Sequence, residues 1–451
     1  MDGRLQTMLS RRSLMMGTLA AAVVPAAAFG QKRPQGIDAA RFGVRAGGES
    51  DQTQALQRAI DEAARMQQPL WLGLGRYRTG PLRLASGLRI IGANGETTLR
   101  LVQGPSIFTA EGASDIALQG LTLDGQGAKP NGDAALVSFN SASNLTIADC
   151  VIVNAGGNAV ALTQCTGTVS GNTFRNSADN ALFSLDGRLT IRGNTITKSG
   201  NGGIRIWQSA KRHDGSIVEG NTIEDTAARG GGDGQNGNGI NVYRAAGVTV
   251  RNNIIRRAAF TAVRGNAASH IVIRGNTCTE LGEVAIYSEF DFKDATILDN
   301  IIDTAAMGIA VTNMDQGGHL AVVRGNVIRN MTNKRPQGGP DAYGIGIGVE
   351  ADTTVSGNTI ENAPVMGIIV GAGKYLRACK VTANIVRDAG IGVGVSVAQG
   401  AGKAAITSNV FSGIKNGAVV GMEWDKVVTG DLTRGGADKF PQLTIADNKV
   451  S

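Results

Sequence analysis

The 451 residues carry 64 glycines, 4% aromatics and 42% hydrophobic residues, an ordinary apolar content that recurs along the whole length and excludes a disordered chain. The formal charge of +7 is spread out, with no Lys/Arg run of the kind that binds nucleic acid; so modest a basic excess suits an acidic polysaccharide or an anionic surface, and equally a merely soluble protein. Cys150, Cys165, Cys278 and Cys379 are far apart, without CxxC spacing or a histidine cluster, which speaks against zinc and for buried strand positions; no metal site or cofactor motif is expected.

The amino terminus reads Ser10-Arg11-Arg12-Ser13-Leu14-Met15-Met16, then a mild apolar stretch to Ala28 ending in Ala26-Ala27-Ala28. A basic start, an apolar stretch too short and weak for a good membrane span and small residues for a peptidase make residues 1–30 an expected twin-arginine signal peptide. The alternatives are an ordinary secretory signal or a retained anchor behind a chance Arg pair. The expectation is export to the periplasm or beyond, with the twin-arginine translocase as partner and no stable membrane span after cleavage.

Residues 31–451 read as one body. Asp51 is a good N-cap, Gln54 is spaced to close a capping box, and Ala55, Leu56, Ala59, Ile60 and Ala63 form an apolar helical stripe suited to cover the open end of a core. The segment from Pro69 to Gly92 then alternates like short strands. Phe42-Gly43, Asp51-Gln52-Thr53-Gln54-Ala55-Leu56-Gln57 and Gly75-Arg76-Tyr77 resemble the amino-terminal cap of pectate-lyase-like β-helix proteins over residues 38–100.

From Leu145 a unit of the form Val/Ile-x-Gly-Asn-x-Ile recurs, as in Val169-Ser170-Gly171-Asn172-Thr173-Phe174 and Ile191-Arg192-Gly193-Asn194-Thr195-Ile196. Later copies centre on Asn221, Asn253, Asn276, Asn300, Asn326, Asn358, Asn384 and Asn409, about 26 residues apart on average, which is one long coil per repeat. Gly and Asn tolerate the positive φ of a tight bend, and a repeated Asn can hydrogen-bond to its counterpart in the next coil, so the repeat is read as structural. A second strand of the type Gly-Ile-x-Val follows in many units, as at 203–206, 239–242, 308–311 and 367–370, with Ile and Val turned inward by period two.

The resulting expectation is an all-β, single-stranded right-handed parallel β-helix of about eleven coils forming three long sheets, with an amino-terminal capping helix. Repeats span residues 145–422, and residues 423–451 are expected to wrap irregularly as a carboxyl-terminal cap. The whole chain, signal included, resembles the family of twin-arginine-translocated repeat proteins of unknown function, a resemblance that brings no catalytic residues.

Chemistry is sought on the outward positions of the Gly-Ile-x-Val strands. Two columns are expected, Arg205-Asn241-Arg264-Tyr287 and Trp207-Tyr243-Asn266-Glu289, with Asp291 just beyond and insertions at 227–238 and 331–343 walling the face. Aromatic faces stack on sugars, arginines pair with uronate carboxylates, and Asn or Glu bonds hydroxyls, so Arg205, Trp207, Asn241, Tyr243 and Asn266 are candidate substrate-binding residues for an acidic glycan. A solvated outer sheet is the competing reading.

For a polysaccharide lyase, Tyr287 and Arg264 offer a base and a carboxylate neutraliser, as does Arg205; for a glycoside hydrolase, Glu289 with Asp291, or a loop residue such as Asp233, offers the two carboxyl groups. His213-Asp214 is a secondary candidate. Neither the paired-aspartate motif of polygalacturonase-like hydrolases nor the Asp-Pro-His-Asp motif of alginate epimerases is present. An enzyme and a non-catalytic glycan-binding or envelope scaffold protein both remain open.

Overall fold

The computed structural model describes residues 36–128, 134–232, 234–312, 318–334 and 343–451. The expected signal segment, Asp233 and residues 335–342 of the second insertion lie outside the described residues.

Each coil contributes one short strand to each of three parallel ladders. Thr166–Ser170, Arg188–Arg192 and Ile217–Glu219 are successive rungs of the first ladder, Thr173–Arg175, Thr195–Thr197 and Thr222–Glu224 of the second, and Asn180–Leu185, Gly202–His213 and Asn238–Ala246 of the third. Hydrogen bonding gathers them into two sheets of sixteen and twenty-eight strands rather than three, because Thr359–Val370 and Ile385–Ser396 run unbroken through the corner and join the second ladder to the third. Inward Ile and Val side chains of all three ladders fill the interior, among them Ile147, Ile191, Ile204, Ile206, Ile240 and Val242.

The chain makes about thirteen turns, more than the eleven expected. The extra turns lack the Gly-Asn signature: the bend needs one residue at positive φ followed by a buried side chain, and Gly120-Leu121 and Asp149-Cys150 serve as well. In Gly-Asn bends it is the residue before the asparagine that holds positive φ, as at Gly171 (66°) and Gly193 (61°). The asparagine has another task.

Ten asparagines, Asn172 to Asn409, are buried in a single file that ends on Asn448. Each amide nitrogen donates to the side-chain oxygen of the next at 2.9–3.0 Å. Asn276 shows the full pattern: its Nδ2 donates to Asn300 Oδ1 at 3.0 Å and to the Val250 carbonyl at 3.1 Å, while its Oδ1 accepts both the main-chain N–H and the amide of Asn253 at 3.0 Å. The glycine that opens the third-ladder strand has its own reason: a Cβ on Gly308 would lie 2.5 Å from the Gly346 carbonyl, and one on Gly346 would lie 2.6 Å from that of Gly367.

The helix Thr53–Met66 seals the amino-terminal end with Leu56, Ala59, Ile60 and Ala63 buried and Ala55 half-buried. Its capping differs from expectation. Gln52 is the capping residue, and its side chain turns away to hold both main-chain groups of Arg45 at 2.7 Å; Asp51 instead accepts from the Thr53 N–H at 2.8 Å, and Gln54 closes no box. At the other end, residues 423–451 do more than wrap. Lys426–Asp431 folds back antiparallel on Val419–Glu423, and Leu443–Ala446 and Lys449–Val450 then add a further parallel coil.

Asn276→Ala removes the acceptor of two donors that water cannot reach. It is expected to destabilise the protein by about 2–4 kcal/mol, read as a lower urea midpoint; an unchanged midpoint would mean that the ladder only fills space.

Candidate functional site

The third ladder places the expected columns in register. Arg205 stands beside Asn241, Asn241 beside Arg264 and Arg264 beside Tyr287, and the second file runs Trp207, Tyr243, Asn266, Glu289. The reason is local: Ile204, Ile206, Ile240, Val242, Val263 and Ile286 occupy the interior, so period two sends the residues between them to the outer face.

Outer face does not mean exposed here. Arg205, Asn241, Arg264 and Glu289 are only 8, 3, 6 and 2% accessible. The 227–238 insertion folds down over the first two instead of standing beside them: Arg205 Nη2 donates to Asn236 Oδ1 at 2.6 Å, and the Asn241 and Asn238 amides donate to the Gly234 carbonyl at 3.0 and 3.1 Å. Burial presses the Arg205 pKa below its ordinary value, with the negative charge of Asp179 offsetting part of the effect.

Arg264 and Glu289 form a buried bidentate pair, Nε to Oε1 at 2.7 Å and Nη2 to Oε2 at 2.8 Å, and Asn266 Nδ2 adds a bond to Oε1 at 2.8 Å. Burial works against the Arg264 charge, but the Glu289 bonds and the nearby Glu283 carboxylate outweigh it and hold its pKa above ordinary. Its guanidinium lies 4.8 Å from the centre of the Tyr287 ring, and Thr312 Oγ1 is 3.2 Å from the Tyr287 hydroxyl. Desolvation pushes the Tyr287 phenol up to about 12.

The two carboxyl groups expected to work together do not share a strand. Val284–Glu289 ends at Glu289, Phe290 takes a positive φ of 54°, and Asp291 beyond it is ion-paired with Lys211 from the far end of Gly202–His213. His213 and Asp214 also part company: Asp214 is buried, accepting from Gln208 Nε2 at 2.7 Å and the Ser216 N–H at 2.8 Å, while His213 is exposed.

Between the buried pairs, three aromatic side chains reach the surface of this ladder. Phe183, Trp207 and Tyr243, on three consecutive coils, are half-buried and meet edge to face at 5.6 and 5.4 Å. Trp207 Nε1 donates to Asn241 Oδ1 at 2.8 Å, and the Arg205 and Arg244 guanidiniums lie 5.1 and 4.8 Å from the Trp207 and Tyr243 ring centres. Sequence reasoning missed Phe183 and Arg244. Phe183 was within reach, since it stands one rung before Arg205 in the same column; Arg244 comes after the alternation has been broken by its own positive φ.

Two family profiles match the chain: that described as periplasmic copper-binding protein (NosD) over residues 229–435, and that of the right-handed β-helix region over residues 135–231. With the parallel ladders, the second makes the chain a right-handed parallel β-helix. No curated protein shows significant similarity. Similar solved structures include the catalytic unit of a thermostable GH87 alpha-1,3-glucanase from Streptomyces thermodiastaticus (16% identity, 96% of this chain and 70% of that one, TM-score 0.49). The A-module of the mannuronan C-5 epimerase AlgE6 from Azotobacter vinelandii (17%, 92% and 99%, TM-score 0.45) and PfbA, a surface adhesin of Streptococcus pneumoniae (16%, 85% and 91%, TM-score 0.45), are similar in the same degree. The neighbours' activities remain their own.

Among the described residues no three histidines, cysteines or carboxylates are grouped to hold a metal ion such as copper. His270 and His319 sit apart, each beside one aspartate (Asp294 at 2.8 Å and Asp352 at 3.1 Å), and burial pushes the thiols of Cys150, Cys278 and Cys379 up to about 12. No described helix is long and apolar enough to cross a membrane.

Tyr287 is therefore protonated at neutral pH. Phenolate absorbance followed through an alkaline titration is expected to contain late components from Tyr287, near 12, and from buried Tyr77, and to lose the first in Tyr287→Phe; a late component of undiminished size would mean that Tyr287 titrates in its ordinary range.

Proposed function

We propose that the outer face of the third ladder binds an acidic polysaccharide without cleaving it, the chain lying across successive coils. The observation that carries this reading is the half-exposed strip Phe183-Trp207-Tyr243 with Arg205 and Arg244 packed on its rings. Stacking on sugar faces and charge from the half-buried Arg244 guanidinium are the two contacts an acidic glycan asks for.

Catalysis is less well served. Both Glu289 oxygens are committed to Arg264, Asp291 is held by Lys211, and a phenol titrating near 12 is a weak base at neutral pH. The lyase reading keeps one favourable observation, the Arg264 guanidinium against the Tyr287 ring.

Calorimetric titration against oligogalacturonate and oligomannuronate is expected to give binding, with Trp207→Ala and Tyr243→Ala each about tenfold weaker. Depolymerisation that Tyr287→Phe abolishes while binding survives would replace this reading with the lyase. Binding that neither aromatic substitution weakens would remove it.

The place of action we propose is the periplasm or beyond, reached through the twin-arginine translocase. Arg11-Arg12 before the apolar stretch, the resemblance to twin-arginine-translocated repeat proteins and the periplasmic description of the matching profile support this. Arg11→Lys with Arg12→Lys is expected to leave the protein in the cytoplasm on cell fractionation; undiminished export would point to the ordinary secretory route.

A further inference from the structure

A second groove lies round the corner from the aromatic strip, on the other side of the 227–238 insertion. It has a volume of about 450 Å³ and is lined by Asn154, Asn176, Lys198 and Asp225, with Ser177, Ser199 and Arg229 completing it. No motif marks it in the sequence.

Its walls are fixed by the fold. Asn154, Asn176, Lys198 and Asp225 hold one position on consecutive coils, each at a φ of 54–59°, and Asn154, Asn176 and Lys198 lie on the rungs through N–H bonds to the carbonyls of Arg175, Thr197 and Glu224. Their side chains are thus repeated at about the 4.8 Å rung spacing. Across the groove, the insertion is pinned by the Arg229 N–H to the Gly200 carbonyl at 2.9 Å and by the Gly230 N–H to Asn201 Oδ1 at 2.6 Å.

Part of its polar lining is unspent. Ser199 is 2% accessible and among the described residues its hydroxyl has no hydrogen-bond partner, a cost that a ligand in the groove would relieve. Lys198 and Arg229 are exposed; Lys198 is close enough to Asp225 to help lower its pKa without forming an ion pair with it among the described residues. Asp225 is the one carboxylate in the lining, and Arg257 on the next coil holds it with Nε at 2.6 Å, which keeps its pKa below the usual range and cancels much of its charge. The amides of Asn154 and Asn176 are already stacked, Asn176 Nδ2 donating to Asn154 Oδ1 at 3.2 Å.

We propose that this groove is a separate binding site for the carboxylate-bearing sugars of an acidic oligosaccharide. Lys198 and Arg229 take the carboxylates, and Ser199 and the Asn154/Asn176 edge take ring hydroxyls. The site uses none of the side chains of the aromatic strip and stands or falls without it.

The test is calorimetric titration of the whole chain with hexagalacturonate, hexamannuronate and neutral cellohexaose, for the wild type, Lys198→Met/Arg229→Met and Trp207→Ala. The double substitution lies on exposed side chains, and an unfolding curve confirms that the coil stack is intact. Its affinity for at least one acidic hexamer is expected to fall about tenfold, with a weaker salt dependence than the wild type. Wild-type affinity in the double variant overturns the groove, as does failure of both acidic hexamers to bind the wild type. Equal affinity for cellohexaose, undiminished in the double variant, overturns the charge recognition. Loss in Trp207→Ala alone removes the groove and keeps the strip; loss in the double variant alone does the reverse.

Discussion

The asparagine file is the constraint on which the rest depends. A parallel coil can stack only if each bend falls over the one below, and a carboxamide is well suited to enforce this, because it presents a donor and an acceptor that answer the same pair on the next coil. Buried as they are, these amides cannot trade a missing partner for water, so a coil that slips leaves unsatisfied groups on both sides. The file from Asn172 to Asn448 thereby fixes the phase of the coils it spans, and the phase fixes which side chains share a column on ladders that contain no asparagine repeat.

The consequence at the third ladder is a division of labour. Several of its polar side chains are spent on each other: Arg264 on Glu289, the end of Arg205 on the Asn236 amide, Asp291 on Lys211. A buried arginine and carboxylate gain little net stability together, but losing either one strands the other at a cost of about 3–5 kcal/mol, so the pair acts to hold the face in one arrangement. What remains for a ligand is the aromatic strip, whose rings are set by the Trp207–Asn241 bond and by guanidiniums. The 227–238 insertion links the two candidate binding regions. One of its sides lies on Arg205 and Asn241, and its start brings Arg229 to the opposite groove.

The sequence by itself determined the coil architecture, the inward Ile and Val positions and the column partners, down to Arg205 beside Asn241 and Arg264 beside Tyr287. Those follow from periods of two and of about 26 residues, and periodicity survives in one dimension. The bends built on Gly120-Leu121 and Asp149-Cys150 escaped it, because a positive φ can be met by several residue types and leaves no fixed spelling. Only the tertiary structure decided that Arg264 and Glu289 are sealed together, that Asp291 answers Lys211 eighty positions away, and that Lys198 and Arg229 line one groove. Burial and pairing depend on where insertions fold back and where strands end, as at Phe290, and on side chains brought together through space. Neither quantity is periodic, so nothing in the order of residues alone could carry it.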